Sequence, residues 1–428
     1  MKNHLSFDFE LKAHRTSWKT ELVAGMTSFF TSAYILLVNP HILSDAGIPL
    51  SAGLIATILA SVAGCLFMGL LAKAPVIVVP GMGVNAFFSY TIVQSLGLSW
   101  KQGLAVVMVS GIFFLLASVT SFGNKLAMSV PVSLKLGITA GVGLLLTFIG
   151  LQKGRVIQPS ETLFVKLGNF GDPVMVSTLL GLVITLFLFV RSTRGSMLIG
   201  LFATSLLTIL LTGQFTPSLA EVQVNAYPLV FANAEFSFLE IPFWIAVFSM
   251  TMIVLFENMG LLNGLLADPE KFPRAYQALA LSTFASGLFG TSPTVAAAES
   301  SSGIAEGGKT GIPALISAIL FAASVFLLPL IGMIPDNAVA PVLIIVGALM
   351  MKSVREIPFQ DFSEGFPAFL IIACIPFTSS IADGLAFGFI VYPLLKIAAG
   401  KWKQVPHVVY LIAGLFLINF IASLFMVH

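Results

Sequence analysis

The feature that most constrains this chain is a succession of apolar blocks, most of them about as long as a bilayer's hydrocarbon core is thick. They run at about 21–39, 52–72, 80–96, 102–121, 134–151, 174–191, 196–213, 240–266, 275–290, 294–306, 312–333, 338–351, 365–378, 380–398 and 406–426. A helix needs roughly 20 apolar residues to cross the core, with a range of about 17 to 25. Backbone groups cannot stay unpaired in lipid, so such blocks must be helices. Only 9% of the residues are charged, against about 25% in a soluble domain. Too few charges are present to cover a surface in water, which excludes a soluble enzyme. The expected class is an all-α polytopic membrane protein.

The polar connections set the expected organisation. Residues 1–19 form a polar, basic tail with Lys2, Lys12, Arg15 and Lys19. No signal-peptide cleavage pattern follows, so the first block is retained as a span. Arg191 and Arg194 flank one turn, Lys271 and Arg274 another, Lys352 and Arg355 a third, Lys401 and Lys403 a fourth, whereas loop 214–239 has no Lys or Arg. By the positive-inside rule the N-terminus is cytoplasmic and loop 214–239 is outside. The cell membrane is the expected location. Loop 152–173, with Lys153, Arg155 and Lys166, falls outside on this count and conflicts with the rule. A repeat of seven segments over 20–213 is followed by seven more over 240–398 and a C-terminal apolar segment in 399–428. That last segment is either an extra span or an interfacial helix. An odd number of crossings inverts the second repeat against the first, as in inverted-repeat transporters.

Two segments, third in each half, differ from the rest. One is Ala74 to Phe88, containing Pro75, Pro80, Gly81 and Gly83; the other is Gly290 to Gly303, containing Pro293. Each opens as an extended stretch and then turns helical. Interrupted segments at matching positions point to a midplane binding site, where unwound backbone and half-helix N-termini are free to contact a solute. The competing reading is two tight turns with small-residue helix packing.

Glu257 lies well inside the eighth segment and Glu299 early in the second interrupted one. A charge at the centre of a membrane helix costs about 2.5–3.5 kcal/mol, a cost tolerated when the group faces a cavity, partner or substrate. No Lys or Arg lies inside a segment expected to pack nearby. A carboxylate that takes up a proton with its ligand is what proton coupling requires, so Glu257 and Glu299 are the proton-coupling candidates. Asp383 is expected to cap a helix start, Asp361 and Glu364 to lie in an amphipathic stretch at the membrane edge, and Glu306 and Lys309 in a cytoplasmic turn. Cys65 and Cys374 read as packing residues, and the five histidines lack zinc-ligand spacing. No metal or cofactor is expected. The near-zero net charge of +2 gives no reason to expect nucleic-acid binding.

At these motifs the chain resembles the azaguanine-permease-like branch of the nucleobase transporters. The matching stretches are Thr20–Thr27 through Asn39–Pro40, Ile42–Gly47, Pro80–Phe88, Val130–Thr139, Gly290–Pro293 and Glu299–Gly303. They cover nearly the whole chain in order. The resemblance implies fourteen segments in two inverted sevens, with segments one to four and eight to eleven as a core and the others as a gate. It implies a substrate between the third and tenth segments, held by acids that fall on Glu257 and Glu299. Asn85, Ala86 and Phe87 from the first interrupted segment, and Thr294 and Ala298 from the second, would line it. The implied activity is proton-coupled import of a purine nucleobase, with the proton as coupling ion. Phe256–Glu257–Asn258–Met259–Gly260 departs from the branch's usual Phe–Asp pattern, and Ala297–Ala298 replaces Tyr–Ile. Guanine and hypoxanthine are favoured over adenine, because an ionised carboxylate accepts from N1–H and the 2-amino group together. A carrier of the same architecture for adenine, another nucleobase or a small solute is the alternative. A passive channel fits less well, because polarity concentrates at two midplane points. An intramembrane enzyme would need a nucleophile–base pair that no segment holds. A single chain and a homo-oligomer are both compatible with the sequence.

Overall fold

The computed structural model describes residues 11, 14–120, 130–160, 165–213, 227, 231–328 and 334–426, with side chains as far as residue 418. Most of the 1–19 tail and of loop 214–239 lies outside these residues. In chain order the elements are α1 (Trp18–Ser32), α2 (Ile35–Asp45), α3 (Leu50–Phe67), β1 (Val78–Pro80), α4 (Met82–Ala86), α5 (Trp100–Val119) and α6 (Val132–Lys153). A hairpin of β2 (Ile157–Pro159) and β3 (Val165–Leu167) leads to α7 (Pro173–Val190) and α8 (Ser196–Thr212). The second half holds α9 (Ile241–Leu265), α10 (Phe272–Phe289), β4 (Thr294–Ala296), α11 (Ser300–Ala305) and α12 (Ile312–Ala323). It ends with α13 (Ala340–Met350), α14 (Phe362–Thr378), α15 (Ile381–Ala398) and α16 (His407–Met426). Among the described residues, 8 helical stretches are long and apolar enough to cross a membrane, and four shorter apolar helices accompany them. The chain is a multi-pass membrane protein.

Contacts divide the chain into two units, residues 1–119 with 150–343, and residues 120–149 with 344–428. Helices α6 and α13 run from one unit into the other. In the first unit, helices approach closely wherever glycine removes the side chain. A Cβ on Gly111 of α5 would lie 2.5 Å from the Phe284 nitrogen of α10, and one on Gly287 of α10 would lie 2.6 Å from Met108 Cγ of α5. Without a hydrophobic driving force between helices in lipid, such close approach supplies the dispersion contacts that hold them. In the second unit, α6 and α13 meet the same way, with Gly143 and Gly347 each facing the other's carbonyl oxygen.

The resemblance groups segments five to seven with the gate. Here α7 and α8 belong to the first unit. The Asn337 amide donates to Ser177 and Thr178 of α7 and to Thr208 of α8, at 2.9–3.2 Å. Arg194, between α7 and α8, is paired with Glu306.

The loop that conflicts with the positive-inside rule is largely neutralised. Lys153 pairs with Asp45 at 2.8 Å and Arg155 with Asp172 at 3.2 Å. Asp383 is not the cap of α15. That role falls to Ser380, whose hydroxyl accepts from the Asp383 N–H at 3.2 Å, with Asp383 in the first turn. Asp361 and Glu364 do more than sit at an edge. Asp361 caps α14 through Ser363 N–H and pairs with Lys401 at 2.8 Å. The Lys401 ammonium, then the Ser363 hydroxyl, hold the Asp361 carboxyl well below the usual carboxylate range. Glu364 accepts from Ser133 and Tyr392 and pairs with the buried Lys396 at 2.6 Å.

Candidate functional site

The two interrupted segments meet. β1 pairs antiparallel with β4, in the register Val78↔Ala296, Val79↔Val295 and Pro80↔Thr294. The ladder is continued by Gly81 N–H to the Pro293 carbonyl at 3.1 Å and Ala297 N–H to the Ile77 carbonyl at 2.9 Å. Each strand is only three residues long. Proline has no N–H for the helical i→i−4 bond and glycine costs backbone entropy in a helix, so Pro75, Pro80, Gly81 and Pro293 keep these stretches extended. β1 leads into α4, which winds on as a π-helix over Phe87–Ser95, and β4 leads through Ala297–Glu299 into α11. At Gly81 a side chain has no room, since its Cβ would lie 2.6 Å from Val295.

Short strands in lipid need every polar group matched. Neighbouring helices supply the partners. Asn258 of α9 accepts from the Ala296 N–H at 2.9 Å. The Ser300 hydroxyl accepts from the Ile77 N–H at 2.9 Å. Asn39 of α2 donates to Thr57 of α3 at 2.7 Å and to Thr291 at 2.9 Å, and accepts from Ser292 at 3.1 Å. Thr294 turns its hydroxyl toward Ser282 at 2.5 Å and Ser286 at 3.0 Å, both on α10. Its side chain therefore fastens β4 to α10.

Of the candidate residues, Glu257, Ala298 and Glu299 reach accessible space. Ala298 is exposed between the buried Ala297 and Ser300 spaced around it, and Glu299 and Glu257 are half-buried. Gly260, one turn on from Glu257, is exposed as well, and a Cβ there would meet nothing within 4 Å. Asn85, Ala86, Phe87 and Thr294 are enclosed. Neither Asn85 amide atom has a hydrogen-bond partner among the described residues. Buried amides are almost always paired, so an orphaned one marks a place where a ligand or water would be welcome. The hydroxyls of Ser89 on the same helical stretch and Ser249 on α9 are orphaned too.

The Glu257 carboxylate makes no hydrogen bond or ion pair with any described residue, while its backbone belongs to α9. Glu299 has a partner that sequence reasoning missed: the Tyr34 hydroxyl donates to its Oε1. Asn39 and Asn258 were missed as well. Asn258 stands directly after Glu257, so two consecutive polar residues inside an apolar helix were the available signal. Asn39 and Tyr34 gave less, as single residues in an otherwise apolar stretch. No group of three or more His, Cys, Asp or Glu among the described residues could hold a metal ion.

A family model described as a permease family matches residues 19–387. The chain belongs to that permease family. The nucleobase transporter PlAzg2 of Paenibacillus larvae is 45% identical over 89% of this chain and 78% of its own length. The guanine/hypoxanthine permease PbuO of Bacillus subtilis is 39% identical over 96% of this chain and 99% of its own. These relatives are those of the azaguanine-permease-like branch, and they are permeases rather than enzymes. Among solved structures, the transmembrane domain of a cyanobacterial bicarbonate transporter, BicA, superposes with a TM-score of 0.63 over 86% of the permease and 97% of that domain. At 15% identity that likeness concerns the fold alone.

Proposed function

We propose that this permease imports purine nucleobases together with protons by alternating access, with guanine and hypoxanthine favoured over adenine. It works in the cell membrane with its N-terminus in the cytoplasm. In this reading its fourteen segments form two inverted sevens, spanning 20–213 and 240–398, with the third and tenth interrupted. The observation that carries the reading is the pair of half-buried carboxylates, Glu257 and Glu299, beside the β1–β4 pair, with Ala298 open between the buried Ala297 and Glu299 itself. Neither acid forms an ion pair with a described residue, so each is available to a ligand N–H and to a proton. The relatives' purine and nucleobase substrates support the same class of cargo. An anion would call for a basic residue at this place. Asn85, with its orphaned amide, can both donate to and accept from a ring edge. Ala298 lets backbone approach a flat ring, and Ala86 and Phe87, enclosed in this conformation, would meet it when the site opens, Phe87 adding stacking area.

The test is uptake of radiolabelled hypoxanthine in cells lacking their own carriers, with and without a proton ionophore. Accumulation is expected to collapse with the gradient. The Glu299→Gln variant is expected to reach the membrane and carry no purine. Accumulation that survives the ionophore removes the proton coupling, and near-normal uptake by Glu299→Gln removes the site.

A further inference from the structure

We infer that Tyr34 is a positioning residue for Glu299, holding one carboxylate oxygen so that the other is presented to the ligand. The inference rests on the purine reading of the site and adds to it a residue on a different segment.

The Tyr34 side chain is 4% exposed, and its hydroxyl points at Glu299 Oε1 across 265 residues of chain. A buried phenol needs a partner for its O–H. This one finds it on the half-buried acid next to the exposed Ala298. Tyr34 keeps right-handed helical dihedrals, and its carbonyl accepts from the Val38 N–H at 3.0 Å. It occupies the gap between α1 and α2, where Leu36 N–H bonds to Ala33 and Leu37 N–H to Tyr34, both i to i+3 contacts. Just before the gap, the Thr31 and Ser32 hydroxyls bond back to carbonyls of Thr27, Ser28 and Phe29. Just after it, Pro40 inside α2 has no N–H to give to Leu36. Hydroxyl back-bonds and an internal proline both bend a helix. These features surround the junction from which the Tyr34 ring reaches Glu299.

The consequence for binding is preorganisation. A free glutamate side chain must give up rotamer freedom when it grips a ligand. With Oε1 already held, that loss is taken during folding, and Oε2 is left as the edge that meets a purine N–H. Tyr34 touches the acid and acts through it.

The experiment is a double-mutant cycle on purified protein in detergent, with hypoxanthine Kd read by calorimetry for wild type, Tyr34→Phe, Glu299→Gln and the double variant. Tyr34→Phe keeps the ring and removes only the donor. It is expected to weaken binding by about tenfold, at the lower end of what a hydrogen bond to a charged group is worth. In the Glu299→Gln background, residual binding is expected to change by less than about twofold on adding Tyr34→Phe, because coupled residues are not additive. For Tyr34→Phe alone, uptake in cells covers a variant lost on purification: KM for hypoxanthine rises while Vmax per surface-exposed molecule holds. An equal loss in both backgrounds, or no loss in wild type, overturns the inference while leaving the purine site standing. Glu299→Gln binding hypoxanthine as wild type does overturns the reading of the site and the inference with it.

Discussion

Replacing Asn39 by leucine tests how the strand pair is held inside an apolar protein. Leucine shares asparagine's branched heavy-atom outline but is the bulkier side chain, so the substitution removes polarity and adds a small packing cost in the same direction. Asn39 is fully buried and makes three side-chain hydrogen bonds, to Thr57, Thr291 and Ser292. Interhelical hydrogen bonds in membranes average about 0.6 kcal/mol each, so the three together contribute about 2 kcal/mol. The partners fare differently once Asn39 is gone. Thr57 keeps its bond to the Gly53 carbonyl at 2.6 Å. Ser292 loses its acceptor, and a buried orphaned donor costs about 1–3 kcal/mol. The total is about 3–5 kcal/mol. For a chain of this size that corresponds to an apparent melting temperature lower by about 3–10 °C. The assay is a thermal melt in detergent, followed by size exclusion of the fluorescently tagged protein. Thr57→Val, which removes one of the three links together with the hydroxyl's bond to the Gly53 carbonyl but orphans no hydroxyl, should fall by less than Asn39→Leu. A melt for Asn39→Leu within about 1 °C of wild type would refute the reasoning, because the strand pair would then be held without its polar fasteners.

Three further outcomes are expected. Ala298→Trp folds normally, since residue 298 is exposed, but blocks hypoxanthine uptake; full activity places the ring elsewhere. Excess guanine competes with labelled hypoxanthine more strongly than excess adenine, and equal competition by adenine shows that the carboxylates do not read the N1 edge. The third concerns pH. The Asp361 carboxyl titrates below its ordinary value when folded, so its contribution to stability is fully present above the unfolded carboxylate pKa of about 4. It is lost as pH falls from there toward the folded value. The melting temperature of wild type should therefore be insensitive to this group from pH 8 to pH 5 and decline in more acid buffer, and Asp361→Asn should reduce that decline. An unchanged decline in the variant assigns the acid sensitivity to other groups.

Much of the helical frame was legible because bilayer thickness leaves its period in the sequence. The apolar blocks near 52–72, 102–121 and 174–191 correspond closely to α3, α5 and α7. The extended starts of the two unusual segments were legible from Pro80, Gly81 and Pro293, since proline and glycine break helices for local reasons. That β1 and β4 pair with each other was not, because register is a tertiary fact about residues far apart in the chain. The first block, read as 21–39, is two helices, α1 and α2, with a gap at Ala33–Tyr34. Neither gap residue carries a breaking signature, as both are αR in the structure. The Glu364–Lys396 pair was likewise hidden, because it forms only once α14 and α15 are folded back on each other.

The β1–β4 pair also dictates when this protein can become complete during its synthesis. Ile77 finds its partner in Ser300, 223 residues later, and Tyr34 waits still longer for Glu299. At about 5–20 residues per second, more than ten seconds of translation separate the insertion of β1 from the arrival of β4. During that interval the edge of β1 has no strand to pair with, and lipid offers it no hydrogen bonds. The first half must meanwhile be shielded by water, a chaperone or an insertase, or be held near the interface. Two separately translated halves, divided in the loop between α8 and α9, should therefore be stable only when made together, each supplying the strand the other lacks.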